Sequence, residues 1–311
     1  MNIKNQLKIL GLALFFFSLL PLQTFAHNPE SRITEDGGVF QQYTWFEILN
    51  PLLFFSLVVV YIVYLRVMRK VSNSYTGERD LRKKISFLFG LLTIYISLAG
   101  PISILSNNLI FSAHMLQQAL MYIVMPPLIL VGMPHVFYQF FDKILVKSKI
   151  LRIFKSPLIG LLLFNVLWSL YHIPTIYEYV WQQFILLEVS HLVINTSAFL
   201  MWIHVLAPVG QINKMSYLTK IGYMFANGIL ITPACALIIF APDVVYPSVN
   251  EAPQLFSFST PQNDQQLGGI IMKLVQEISY GAAITYIFSK WARLERKKNA
   301  QIDELPVSSV E

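Results

Sequence analysis

Three histidines that lie far apart in the chain, His114, His172 and His191, each fall near one end of a long apolar segment. Imidazole is the commonest metal-ligating side chain, and three of them brought to one depth would form an open metal site. Local spacing adds to the signal. His114 and Gln118 are four residues apart and share a helix face. Glu188, His191 and Asn195 fall at i, i+3 and i+7, again on one face. A carboxylate beside an imidazole fixes its tautomer and raises its basicity, the usual support of a metal-bound histidine. Met115 and Met272 offer thioether sulfur near the same depth. Imidazole with thioether suits copper, and Cu(I) favours the softer ligands. Affinity for such a metal would fall as pH drops and the imidazoles take up protons. Each histidine alone also has a plainer reading, as a group that hydrogen-bonds across helices or lines a wet cleft. Of the other three, His27 stands on the same outer side, and His135 and His204 stand at the opposite ends of their segments, where an interfacial role is the default.

The elements that must position these residues are apolar and long. Seven segments, roughly 45–66, 85–106, 109–133, 157–174, 184–206, 217–241 and 267–290, each suit a helix crossing a bilayer core about 30 Å thick. They are too long for barrel strands and lack strand alternation. The loops orient them. Arg66, Arg69, Lys70, Arg79, Arg82, Lys83 and Lys84 lie in one connection, and Lys143, Lys147, Lys149, Arg152 and Lys155 in another. Lys214 and Lys220 lie in a third, and Lys290, Arg293, Arg296, Lys297 and Lys298 follow the last segment. The alternate connections, 107–108, 175–183 and 242–266, carry no Lys or Arg. The positive-inside rule puts the basic loops in the cytoplasm, so the three histidines face the outer side. The net charge of +6 then reflects topology and anionic lipid, not nucleic-acid binding. The expected fold is an all-α polytopic membrane protein of seven transmembrane helices, with its N-terminus outside and its C-terminus in the cytoplasm.

Residues 1–26 fit a cleavable signal peptide, with Lys4 and Lys8 before an apolar stretch and Thr24-Phe25-Ala26 as the cleavage site. An uncleaved anchor is the alternative and leaves the other seven spans unchanged. Residues 27–44 form an extracytoplasmic segment, 45–298 the membrane domain, and 299–311 a polar cytoplasmic tail expected to be disordered. The segment 242–266 is long enough to fold over the outer face. Pro126-Pro127 and Pro233 interrupt the third and sixth segments. Lys273 and Glu277, four apart in the seventh, read first as a compensating ion pair and second as a proton relay; Glu277 falls about 15 Å into the bilayer. The single cysteine, Cys235, cannot form an intrachain disulfide and reads as a small buried residue. There is no HExxH, P-loop, GxSxG or helix-opening GxGxxG, so nothing points to an enzyme.

Three blocks carry a resemblance. SAHMLQQALMYIVMPPLILVGMP at 112–134, WSLYHIPTIYE at 168–178 and DQQLGGIIM at 264–272 resemble, in that order, the multi-span CtaG family of cytochrome c oxidase (caa3-type) assembly factors. The likeness covers roughly 45–295. It implies a task in the biogenesis of a haem–copper oxidase, with copper handling or delivery at the outer face and oxidase subunits and the lipid bilayer as partners. Carried over, the candidates are His114, His172 and His191, with Asp264 and Met272 from the last block; as copper ligands the three histidines would act with Met115 or Met272 as a soft ligand. Glu188, Gln118 and Asp264 stand around them, Glu188 orienting His191 and Asp264 near the lip of the cleft. Many members of the family have a second histidine where this chain has Gln118, and Lys273 replaces an apolar or aromatic residue after Met272. Copper bound transiently by an incomplete ligand set would be easy to release. The rival readings are a metal-free scaffold for oxidase subunits, a copper transport or tolerance protein, and a protein holding haem between two histidines.

Overall fold

In the computed structural model, the residues described are 43–72, 79–107, 110–208, 212, 214–251 and 260–303. The expected signal peptide and most of the outer N-terminal segment lie outside them. Among the described residues every regular element is helical.

Helix α1 (Trp45–Leu49) starts at a capping box, in which Thr44 Oγ1 accepts from Glu47 N while the Glu47 carboxylate accepts from Thr44 N. It leads through Asn50 into α2 (Pro51–Ser72), and the two pass as one apolar stretch, Trp45–Val71. Helices α3 (Arg79–Leu98) and α4 (Gly100–Asn107) make a second stretch bent by 41°. The break is at Gly100, whose φ of +71° suits a residue without Cβ. The third stretch is α5 (Phe111–Ala119), a π-helical turn (Leu120–Val124) and α6 (Met125–Gly132). Pro126 and Pro127 have no backbone N–H to give to the preceding turn, and the ladder widens there; Met125 N reaches back to Leu120 O.

The basic connection 142–155 is not a plain loop. It holds the C-terminal part of the amphipathic helix α7 (His135–Lys147) and all of α8 (Lys149–Ile153). Helix α9 (Pro157–Tyr171) is followed by α10 (Pro174–Trp181), turned by 78°. An outer connection was expected at 175–183. Pro174 in the first turn of α10 starts a new helix where its missing N–H costs nothing. Helices α11 (Phe184–Leu206) and α12 (Tyr217–Ile239) match their expected segments closely. A short α13 (Pro247–Glu251) precedes α14, a helix of 43 residues from Pro261 to Asp303. Helix α14 therefore begins before the expected seventh span and continues five residues past the boundary at 298 into the expected tail.

Among the described residues four helices are long and apolar enough to cross a membrane, or up to six if each bent pair is one span. The six correspond to the first six expected segments. The seventh, within α14, falls short among the described residues, because Lys273, Gln276 and Glu277 interrupt its apolar run.

The stretch Phe111–Gly132 is the centre of the bundle, with 67% of its residues buried against 22% for Trp45–Val71 at the periphery. It is touched by α3, α4, α11 and α14, while α14 packs along α12 and α9 lies against α11 and α12. Tyr64 pins α2 to this core by stacking on Phe87 at 3.9 Å and donating to Gly132 O at 2.8 Å. Gly268 sets the approach of α14 to α5. A Cβ there would fall 2.7 Å from Phe111 Cδ1 and 3.0 Å from Met115 Cγ, so any other residue would push these buried side chains aside.

Candidate functional site

The site lies at one end of the bundle, where α5, the π turn, the α9–α10 bend and α11 converge. Helix α5 carries His114 and is anchored from outside itself. Its N-cap residue, Ile110, has no side chain able to accept from the first turn. Asp264 of α14 does so instead, accepting from Phe111 N at 2.7 Å, Ser112 N at 3.3 Å and the Ser112 hydroxyl. A carboxylate at a helix N-terminus satisfies orphan N–H groups and meets the positive end of the helix dipole. Asp264 thus sets the position of His114 without touching it.

His114 is fully engaged. Gln118 Nε2 donates to its Nε2 at 2.9 Å, with the Tyr171 hydroxyl at 3.4 Å from the same nitrogen. Nδ1 then carries the proton and meets Ser106 Oγ at 3.3 Å; Ser106 donates to Gln117 Oε1 at 2.7 Å, and Gln117 Nε2 to Ser97 O at 2.8 Å. The ring is edge-on to Trp181 and Tyr177, at 5.0 and 5.8 Å. Gln118 thus holds the imidazole in one tautomer.

His191 and His172 differ from it. The His191 ring stands T-shaped to His114 at 6.4 Å, its Nδ1 hydrogen-bonded to the Tyr122 hydroxyl, and its Nε2 buried without a partner. His172 sits where α9 ends at the bend. Its Nδ1 lies 2.7 Å from Trp168 O, and because a carbonyl can only accept, the proton is on Nδ1. Its Nε2 is then a lone pair, and it too is buried without a partner. The His172 carbonyl accepts from the Tyr246 hydroxyl at 2.7 Å. Glu178 of α10 accepts from Ser248 N at 3.1 Å and Ser248 Oγ at 2.7 Å, so the part of segment 242–266 that precedes residue 252 is tied down over this end of the bundle.

The remaining candidates take separate places. Glu188 is half-buried one turn before His191 on α11, within electrostatic reach of the Tyr122 hydroxyl. Met115 follows His114 and is therefore turned about 100° round the helix, against Gly268. Met272, one turn beyond Gly268 on α14, is fully buried. Both sulfurs belong to helices that pack together, α5 and α14. Among the described residues no group of three or more His, Cys, Asp or Glu side chains is arranged to hold one metal ion. The structure thus pairs His114 with His191 and gives His172 its own anchors, Trp168 and Tyr246.

Tyr122 is a site residue that spacing alone had left unmarked. It continues the four-residue step His114, Gln118, Tyr122, and the π turn that contains it brings its hydroxyl to α11. The Ser106–Gln117–Ser97 chain had no sequence signal, because it joins α5 across a bend to α3 and α4.

Among the described residues the chain is all-helical, with four to six candidate membrane spans and a buried histidine–tyrosine cluster walled by aromatic rings. A family model described as cytochrome c oxidase caa3 assembly factor (Caa3_CtaG) matches residues 59–294, and the chain belongs to that family. No curated protein and no solved structure matches it.

Proposed function

We propose that this caa3 oxidase assembly factor works in the bacterial plasma membrane as a seven-span protein and passes copper to an oxidase subunit from its outer face. The carrying observation is the pair of buried Nε2 atoms on His172 and His191, each on a ring whose Nδ1 is already hydrogen-bonded. An imidazole that donates from Nδ1 and keeps a bare Nε2 is in the state a metal requires; Trp168 O fixes His172 in it, and His191 takes it up by donating from Nδ1 to the Tyr122 hydroxyl. Copper is the cargo, not a resident cofactor. Cu(I) tolerates few ligands, and a small nitrogen set with the Met115 or Met272 thioether in reserve lets it go easily. His114, occupied on both nitrogens, supports the wall of the site and becomes a ligand only if Gln118 swings away. Glu188 acts through Tyr122 and His191, and Asp264 through α5.

Titration of the purified protein with Cu(I) against a chromophoric chelator tests this reading. One copper per chain at sub-micromolar affinity is the expected result. Tyr122→Phe keeps every imidazole but frees His191 to turn, and is expected to weaken binding about 10–100-fold. No copper uptake by the wild-type chain would end the copper reading. The second reading, a metal-free scaffold, draws on the missing three-ligand cluster, and it predicts that outcome.

A further inference from the structure

We propose that a column of bound water runs inward from the histidine cluster through the middle of the bundle, between α9, α11, α12 and α14. Six side chains there, none more than 5% exposed, each keep a polar atom without a partner among the described residues: Asn165 Oδ1, Trp168 Nε1, Asn195 Oδ1, Trp202 Nε1, Gln276 Nε2 and the Tyr280 hydroxyl. They are not scattered. Asn165, Trp168 and His172 fall at i, i+3 and i+7 along α9, and His191, Asn195 and Trp202 at i, i+4 and i+11 along α11. Each helix therefore carries one polar stripe that starts at a site histidine. Contacts between the helices join the stripes. Tyr122 meets both His191 and Trp168, and Asn165 Nδ2 donates to Asn227 Oδ1 of α12 at 2.7 Å. The Trp202 ring stands edge-on to Tyr280 of α14 at 5.5 Å. A Cβ on Gly228, next to Asn227, would lie 3.6 Å from Gln276 Nε2 and 3.9 Å from the Tyr280 ring. From His191 to Trp202 the stripe spans about 16 Å along α11.

The free donors and acceptors name the occupant. Asn165 uses both amide protons, on Leu161 O and Asn227 Oδ1, so only its carbonyl oxygen is left to accept. Lys273 Nζ holds Gln276 Oε1 at 2.9 Å, which turns the amide nitrogen toward α12 as a donor. The two indole N–H groups can only donate, and the Tyr280 hydroxyl can do either. The column thus offers free donors and free acceptors together, all of them neutral dipoles. An anion would leave the acceptors unmet and a cation the donors, whereas water serves both. A polar group buried dry is destabilising, and buried water commonly bridges such groups with about three hydrogen bonds. On the copper reading above, the column also supplies the water that takes the metal's place at the Nε2 atoms of His172 and His191; the column itself stands without that reading.

Hydroxyl-radical footprinting of the purified wild-type chain, with no copper present, tests this. X-ray pulses split water where it stands, so a side chain touching bound water is oxidised even where bulk solvent does not reach. Tyr280 and Tyr64 are the same residue type and are 2% and 0% exposed, but the Tyr64 hydroxyl is satisfied by Gly132 O. Tyr280 is expected to be modified roughly tenfold faster than Tyr64. Gly228→Leu puts a side chain into the space beside Gln276 and Tyr280 and should bring the Tyr280 rate down to that of Tyr64. Gly222→Leu, on the same helix but with nothing within 4 Å of its Cβ, should leave the rate unchanged. Tyr280→Phe reads the same bond through stability. It removes a hydroxyl bonded to water and is expected to lower the unfolding midpoint, while loss of a dry, unpartnered hydroxyl would raise it. Equal rates for Tyr280 and Tyr64 in the wild type, a Tyr280 rate indifferent to Gly228→Leu in the folded variant, or a raised midpoint in Tyr280→Phe would overturn the proposal. None of these readings involves the metal, so the copper titration succeeds or fails separately.

Discussion

A chain carrying both His172→Ala and His191→Ala is expected to lose Cu(I) binding by more than the 10–100-fold that removing an outer partner costs. These two rings supply the only imidazole nitrogens of the cluster that are buried without a partner. Removing them leaves His114, whose Nε2 is taken by Gln118 and Tyr171 and whose Nδ1 faces Ser106. The double substitution also removes the Nδ1 bonds to Trp168 O and the Tyr122 hydroxyl and leaves the space of two rings, so the unfolding midpoint is expected to fall while the chain still folds. Equilibrium competition with a Cu(I) chelator reads the affinity, and the thermal unfolding midpoint in detergent confirms the fold. His114→Ala alone is expected to spare copper binding. It should lower the midpoint by removing the bonds to Gln118 and Ser106 and reduce copper affinity only modestly. If His114→Ala abolishes binding while the double substitution does not, the ligand assignment is reversed.

The second large effect is expected at Asp264. Alanine there leaves Phe111 N, Ser112 N and the Ser112 hydroxyl without their acceptor at the start of α5. Helix capping contributes about 1 kcal/mol, and bonds to a charged group about 1.5–3 kcal/mol each. A loss of about 3 kcal/mol is therefore expected, seen as a lowered unfolding midpoint and weaker copper binding together. Asp264→Asn keeps one acceptor oxygen and should cost about 1 kcal/mol. A midpoint unchanged by Asp264→Ala would mean that another group caps α5.

Much of this architecture is written in the sequence. Apolar length alone located six of the stretches within a few residues, since a bilayer core demands that length and little else. It could not show that 175–183 turns into α10, because a 78° bend at a proline looks in sequence like the end of a span. It also counted α14 as an ordinary span, and only the structure shows Glu277 opening outward from it. The Lys273–Glu277 ion pair expected from their spacing is present at 2.7 Å. At the site, depth matching singled out His114, His172 and His191, and the first and last are in ring contact. What sequence could not assign was which nitrogens are occupied. That depends on Trp168 O, Ser106 Oγ and Tyr122 Oη, partners set by a helix end, a bend and a π turn. Asp264 was placed near the lip of the cleft, and its part is to hold the helix beneath.

The central claim is that the outer histidine cluster carries the assembly function. The most direct measurement is terminal oxidase activity, with the haem a spectrum, in membranes of a deletion strain. The strain would express either the wild-type chain or His114→Ala/His172→Ala/His191→Ala, at levels matched by immunoblot. Activity and the haem a band restored by the wild type and absent with the triple variant is the predicted result. Equal restoration by both would contradict it, and would make the protein a scaffold in which these imidazoles only hold helices together.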